Sequence, residues 1–214
     1  LTHEEYAAGV FEEYDGDGLS GWRDAALRGG FPDPALHLPT ETERRIWFDG
    51  YVRTYLERDL QSLAGIGNLS DFRRLMRACA LNVGGLVNQS AIARSLGMSQ
   101  PTVHRYLNLL ETSYLLIRLA AYSPNRGKRL VKSPKLFWGD VGLALFLSGE
   151  TPDGAQLENL VLLELLLWAD TFRGQAQVSH WRGLDGVEVD FVIDLDGRLL
   201  PVEVKAATDV RLRD

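Results

Sequence analysis

The sequence predicts a mainly α chain with an α+β part: a helical N-terminal region, a helix-turn-helix followed by a two-stranded wing, and a helix leading into a β-meander. Three observations carry that expectation. Apolar and polar residues alternate from Val187 to Lys205 on both sides of Asp196-Gly197, the period of paired strands about a two-residue turn. Between Asn88 and Glu111 apolar residues recur at helical spacing on either side of Gly97. The run from Gln156 to Trp168 is apolar nearly all round, as in a helix buried on more than one side. The regions expected are 1–69, 70–149 and 150–214, with Ser148 to Gly154 as the linker before the last.

Composition narrows the class. A hydrophobic fraction of 45% is ordinary for a globular protein. The one cysteine, Cys79, rules out an internal disulfide and fits a reducing cytosol. Its neighbours Leu75, Met76 and Leu81 make it a core residue. No stretch reads as a signal peptide or a membrane span, because the most apolar run, 157–168, carries Glu158 and Glu164. A cytoplasmic location is expected, and the opening at Leu1 reads as that of a trimmed chain. Net charge is −6 but unevenly spread: residues 71–135 hold eleven Lys and Arg against two acids, residues 1–70 six against thirteen, and 136–214 six against fourteen. One strongly basic segment in an acidic chain points to a polyanion partner for that segment.

Residues 1–40 are acidic and rich in Gly and Pro, with Phe11, Trp22, Leu27 and Phe31 as anchors, and read as short helices joined by a loop. Thr40 caps the next helix, with Glu43 at the capping-box position. Trp47, Tyr51, Tyr55 and then Leu56 or Leu60 share one side, and the helix should stop near Gly65-Ile66-Gly67. Arg58-Asp59 near its end reads as a surface pair of small value. Ser70-Asp71 is expected to cap a helix over about 71–82, with Phe72, Leu75, Met76 and Cys79 inward. Arg73, Arg74 and Arg77 then face out, either as a solvated surface or within reach of phosphates.

In the helix-turn-helix, Ala91, Ile92 and Leu96 pack the first helix and Gly97 supplies the left-handed turn residue. Ser99 caps the second helix and Pro101 sits in its first turn, where a missing N–H costs little. Val103, Leu107 and Leu110 bury it, which leaves Gln100, Thr102, His104, Arg105 and Asn108 for solvent or a DNA groove. A strand from Tyr114 and its return through Leu136-Phe137-Trp138 flank a loop with Arg126, Lys128, Arg129, Lys132 and Lys135 and no acid. That loop reads as a wing contacting phosphates of double-stranded DNA, or else as a solvated loop. The whole pattern resembles winged helix-turn-helix proteins. A short helix from Asp140 closes the unit.

If Asp196-Gly197 is the turn, each residue of one arm pairs with its mirror across that turn. Asp190 then faces Glu203 and Glu188 faces Lys205. These four lie on one face, while Val187, Val189, Phe191, Val202 and Val204 lie on the other and read as core. Like charges directly opposed destabilise a sheet, so Asp190 and Glu203 point to a divalent metal between them. The alternative is an exposed face with a Glu188–Lys205 ion pair. Pro201 requires its outer side to be an edge or a bulge. In the helix before, Glu158 shares a face with Leu162 and Leu165. It either points at the sheet near Asp190 or serves the helix dipole.

An acid on one strand followed by E-x-K on the next resembles the PD-(D/E)xK nuclease superfamily, here at Asp190, Glu203 and Lys205, with Glu158 as the helix acid. The resemblance implies a partial restriction-endonuclease-like α/β module, Mg²⁺ held by Asp190 and Glu203, and a Lys205 that positions or activates water. The chain as a whole resembles the DUF4143 family. That resemblance rests on Tyr51 to Asp59, the helix-turn-helix with Thr102-Val-His-Arg-Tyr-Leu, Phe137-Trp-Gly-Asp-Val-Gly-Leu, Leu157-Glu-Asn-Leu-Val, Glu188-Val-Asp-Phe-Val and Val202-Glu-Val-Lys. It implies an AAA+-type P-loop ATPase domain ahead of this region, although the chain itself has no Walker A motif. Two readings follow: a DNA-binding region with a Mg²⁺-dependent phosphodiesterase, or a regulatory or protein-interaction module that keeps a nuclease-like scaffold.

Overall fold

The computed structural model describes residues 21–59, 66–123, 133–171, 175–183 and 186–206. The fold is mixed α+β, with helices around two small antiparallel sheets.

The N-terminal region is helical, as its pattern requires. α1 spans Gly21–Arg28 and α2 spans Glu41–Tyr51. The Thr40–Glu43 capping box closes, with the Glu43 N–H donating to the Thr40 hydroxyl and the Thr40 N–H donating to the Glu43 carboxylate. Beyond Tyr51 the backbone widens into a π-helix, Val52–Asp59. The Thr54 hydroxyl donates to the Gly50 carbonyl at 2.6 Å. A hydroxyl competing for the carbonyl four residues back is a known local distortion of an α-helix. Phe31, Trp47 and Tyr51 cluster on one side, with ring centroids 4.7–5.4 Å apart and Trp47 stacked on Tyr51. Phe11, Leu60, Gly65 and the side chains of Leu56, Arg58 and Asp59 lie outside the described residues.

α3, Leu69–Ala80, starts two residues before its expected position. Asn68, not Ser70 or Asp71, is its cap, because the Asn68 side chain reaches the Asp71 N–H at 3.2 Å. Arg74 reaches the Leu96 carbonyl at 2.6 Å, which ties α3 to the following turn rather than leaving that guanidinium free. α4 spans Gln89–Leu96 and α5 spans Gln100–Thr112. Gly97 joins them at φ 65°, and Ser99 accepts from the Thr102 N–H as the expected cap. Val103, Tyr106, Leu107 and Leu110 are fully buried, with Cys79 beside them in the same core.

β1, Leu116–Leu119, pairs antiparallel with β2, Lys135–Trp138. The other edge of β2 is covered by the segment 84–87, through the Gly84 N–H to the Leu136 carbonyl and the Leu136 N–H to the Gly85 carbonyl. All four residues of β2 are therefore buried. α6, Val141–Ser148, is capped by Asp140, and it packs so closely on the end of α1 that a Cβ at Gly142 would lie 2.8 Å from the Cα of Gly29, the residue after α1.

Ser148, the last residue of α6, is buried, and Gly149 closes α6 in the left-handed region; the next residues, 150–153, lead into the last helix. α7, Gly154–Asp170, follows, capped by a second box between Asp153 and Gln156. Asn159 in its second turn is 0% exposed. Its side chain accepts from the Trp138 N–H and donates to the Trp138 carbonyl, both at 2.8 Å, so one amide stands in for a strand at the end of β2.

The second sheet has the order β3 (Ala176–Arg182), β4 (Glu188–Leu195), β5 (Arg198–Val202). Asp196 and Gly197 take φ of 51° and 80°, as a type I′ turn requires. Every β4–β5 pair, from Leu195↔Arg198 to Phe191↔Val202, keeps the register that this turn fixes. Pairing ends there, one residue short of Asp190 and Glu203. Pro201 sits on the edge strand. Phe191 is fully buried and Val202 and Val204 pack on the core, but Val187 is 56% exposed, because it precedes the first residue of β4. A bulge at His180 lets β3 also bridge residues 120–122, through the His180 N–H to the Ala120 carbonyl and the Tyr122 N–H to the His180 carbonyl. The two sheets are thereby linked by backbone.

Candidate functional site

Two surfaces collect the candidate residues: the outer face of α5 and the acidic face of β4. On α5, Gln100 and Arg105 are exposed, and the Arg105 guanidinium lies 5.2 Å from the Tyr106 ring. Thr102 is half-buried and shares a 2.8 Å hydrogen bond with Ser99. His104 and Asn108 belong to a chain of contacts. Gln89 meets His104 at 3.2 Å, His104 meets Asn108 at 3.0 Å, and Arg118 donates to Asn108 at 2.8 Å and pairs with Glu111. That chain fixes the polar face of α5 to α4 and β1. Arg126, Lys128, Arg129 and Lys132 lie outside the described residues.

The acidic face is built differently from its expectation. Lys135, at the start of β2, is not a solvent-facing wing residue; its side chain is 6% exposed and enters the acidic cluster. Its ammonium lies 2.9 Å from Glu158 Oε1, 3.8 Å from Asp190 Oδ1 and 3.9 Å from Glu188 Oε2. Glu158 therefore points toward the sheet and is a partner of Lys135. Burial pushes the Glu158 carboxyl above its ordinary value, against the hydrogen bond from Lys135 that lowers it. Glu188 pairs with Arg182, its cross-strand neighbour, at 3.0 Å rather than with Lys205. The second oxygen of Asp190, Oδ2, accepts from the Val204 N–H at 2.9 Å. The carboxylate takes a backbone bond just where the ladder ends. Glu203 and Lys205 hydrogen-bond each other at the half-exposed rim, and that bond raises the Lys205 pKa.

Mg²⁺ asks for near-octahedral oxygen ligands at about 2.0–2.1 Å and keeps several waters. Here a buried ammonium fills the space between Glu158, Glu188 and Asp190, a backbone N–H holds the other Asp190 oxygen, and Glu203 is turned to Lys205. So arranged, these residues do not fit a divalent ion. Among the described residues no group of three or more His, Cys, Asp or Glu is arranged to hold a metal.

Lys135 and Asn159 were missed in the sequence for a readable reason. Lys135 follows a run of cations, so it reads as the last of the run. Strand alternation places it on the side of Phe137, and a lone charge inside such a strand needs acids facing it.

The sequence profile described as "Domain of unknown function (DUF8612)" matches residues 19–154, well over half of the chain. The chain belongs to this family. A second profile, "Domain of unknown function (DUF4143)", matches residues 153–214, which supports the DUF4143 resemblance for the helix and meander. The motifs over 51–59, 88–111 and 137–143 fall within the DUF8612 match. An uncharacterized protein of Mycobacterium tuberculosis is 32% identical over 188 residues, covering 84% of this chain and 42% of its own length. An uncharacterized protein of Haemophilus influenzae is 31% identical over 186 residues, covering 82% of this chain and 44% of its own. The chain thus spans less than half the length of these curated relatives. No solved structure matches. Among the described residues no helix is long and apolar enough to cross a membrane.

Proposed function

We propose that this region binds double-stranded DNA through α5, as a winged helix, and that its nuclease-like meander is a scaffold that does not cleave. The observation that carries the DNA reading is the capped N-terminus of α5, which presents exposed Gln100 and Arg105 on a helix fixed by the turn at Gly97. A helix N-terminus with polar side chains is the element that reads base edges in the major groove. Arg105 and Gln100 supply base contacts, His104 and Asn108 keep the face in register, and the wing cations Arg126, Lys128 and Arg129 contact phosphates. The scaffold reading is supported by Lys135, which neutralises the carboxylates a metal would need. An ATPase domain ahead of this region would use it to engage DNA, in keeping with relatives of which this chain covers less than half.

The DNA reading is tested by following backbone amide shifts of ¹⁵N-labelled protein as a mixed-sequence duplex is added. Shifts centred on residues 99–108 support it. Saturable binding that leaves α5 unmoved refutes it. Plasmid nicking with Mg²⁺ or Mn²⁺ tests the scaffold half, and nicking lost with Asp190→Asn would overturn it.

A further inference from the structure

We propose that Lys135 is the resident cation of the acidic face, held by Glu158, Asp190 and Glu188 where the PD-(D/E)xK resemblance expects Mg²⁺. The inference deepens the scaffold reading and leaves the DNA reading untouched.

Three features single Lys135 out. It is 6% exposed at the side chain, and a Lys is almost never buried without a partner. Its ammonium lies within 3.9 Å of one carboxylate from each of three residues, which come from α7 and β4, while Lys135 comes from β2. A single point thus gathers charges from both sheets and from the helix between them, as a metal would. The distances differ in kind, however. Ligands of Mg²⁺ sit at about 2.0–2.1 Å, so Asp190 and Glu188 would each have to move in by roughly 1.8 Å to coordinate an ion at the Nζ position. The surrounding bonds resist that movement. Asp190 is tied to the Val204 N–H and Glu188 to Arg182. Lys135 itself is fixed by the β2 backbone, paired on both edges. Lys135 and a divalent ion are therefore mutually exclusive, and the chain supplies the lysine.

A consequence is that the lysine acts as an internal clasp. It joins the strand that returns from the wing to the helix and meander that follow, without any metal. Removing its charge leaves three carboxylates around one point and should create an affinity for a hard divalent cation that the native chain lacks.

The experiment uses the full chain and Mn²⁺ as the probe, with bound ion read by electron paramagnetic resonance at matched ionic strength. The wild type is expected to show no stoichiometric Mn²⁺ site at millimolar concentrations. Lys135→Gln is expected to gain one, and Lys135→Gln with Asp190→Asn to lose it again. A stoichiometric site in the wild type that Asp190→Asn removes would overturn the proposal. So would a folded Lys135→Gln that gains no affinity. Should that variant not fold, the wild type decides alone. The Lys135 Nζ resonance, followed by ¹H–¹⁵N correlation, is expected to stay unmoved on adding Mg²⁺, and a saturable shift would show the lysine being expelled. Plasmid nicking by the wild type, by contrast, would sink the scaffold reading; failure of Lys135→Gln to take Mn²⁺ would sink only this inference.

Discussion

Asn159→Ala should be among the most costly single substitutions in this chain. The side chain is 0% exposed and satisfies both the N–H and the carbonyl of Trp138, at 2.8 Å each. Trp138 is itself fully buried, so water cannot replace the lost partner. Leaving a buried backbone donor or acceptor unsatisfied costs about 1–3 kcal/mol each. Two such groups give a loss of about 2–6 kcal/mol, a large part of the stability of a typical domain. Urea unfolding followed by circular dichroism would read it, with near-ultraviolet signal reporting on Trp138. Asn159→Asp separates the two bonds. Its carboxylate still accepts from the N–H but opposes the carbonyl, and a protonated carboxyl donates again, so its deficit against wild type should shrink as pH falls. A loss below about 1 kcal/mol for Asn159→Ala, or an Asn159→Asp deficit indifferent to pH, would refute the assignment of Asn159 as the bridge between α7 and β2.

Three further outcomes are expected. Gly142→Ala should destabilise by about 1–3 kcal/mol in the same assay, because its Cβ would meet Gly29 Cα at 2.8 Å and the α6 backbone must part from the residue that follows α1. The Glu158 carboxyl is raised by burial, so its contribution to stability falls as pH climbs from the ordinary carboxylate value through the raised one. Glu158→Gln lacks that titration, so its stability relative to wild type should improve as pH rises from about 4 to 7; a relative stability that is flat or declines over this range would contradict the assigned direction. Arg126→Ala and Lys128→Ala should weaken duplex binding evenly across sequences and each lower the salt slope by roughly 0.9, whereas Gln100→Ala should change which sequence is preferred. Competition with duplexes of different sequence would distinguish the two effects.

Much of the fold was legible because local chemistry dictates it. Asp196-Gly197 accept positive φ, and that turn alone set the register of β4 and β5. Gly97 and Ser99 likewise marked the turn and the cap of α5. The cap of α3 went to Asn68 because Asn68, Ser70 and Asp71 are all good caps, and only the tertiary path of the chain chooses among them. The π-helix after Tyr51 was not legible, since Thr54 can bond back to a carbonyl in any helix. The candidate site was half legible. Alternation placed Glu188 and Asp190 on one face and helical spacing let Glu158 turn toward them, but their shared partner comes from an earlier strand, 23 residues before Glu158 and about fifty before β4. Nothing local marks Lys135 as the cation shared by these three carboxylates. The expected pairing of Asp190 with Glu203 across the ladder is not made, for a local reason. The ladder stops at Phe191↔Val202, and each carboxylate found a nearer donor, the Val204 N–H for one and Lys205 for the other.

The most direct test of the central claim is fluorescence anisotropy of a labelled duplex titrated with this protein over a range of salt concentrations, alongside Arg105→Glu. The account predicts that log Kd rises linearly with log salt and that Arg105→Glu weakens binding at least tenfold, since an exposed cation in the second turn of α5 becomes an anion facing DNA. No binding at low salt, or an affinity that Arg105→Glu leaves unchanged, would contradict the assignment of α5 as the DNA-reading helix.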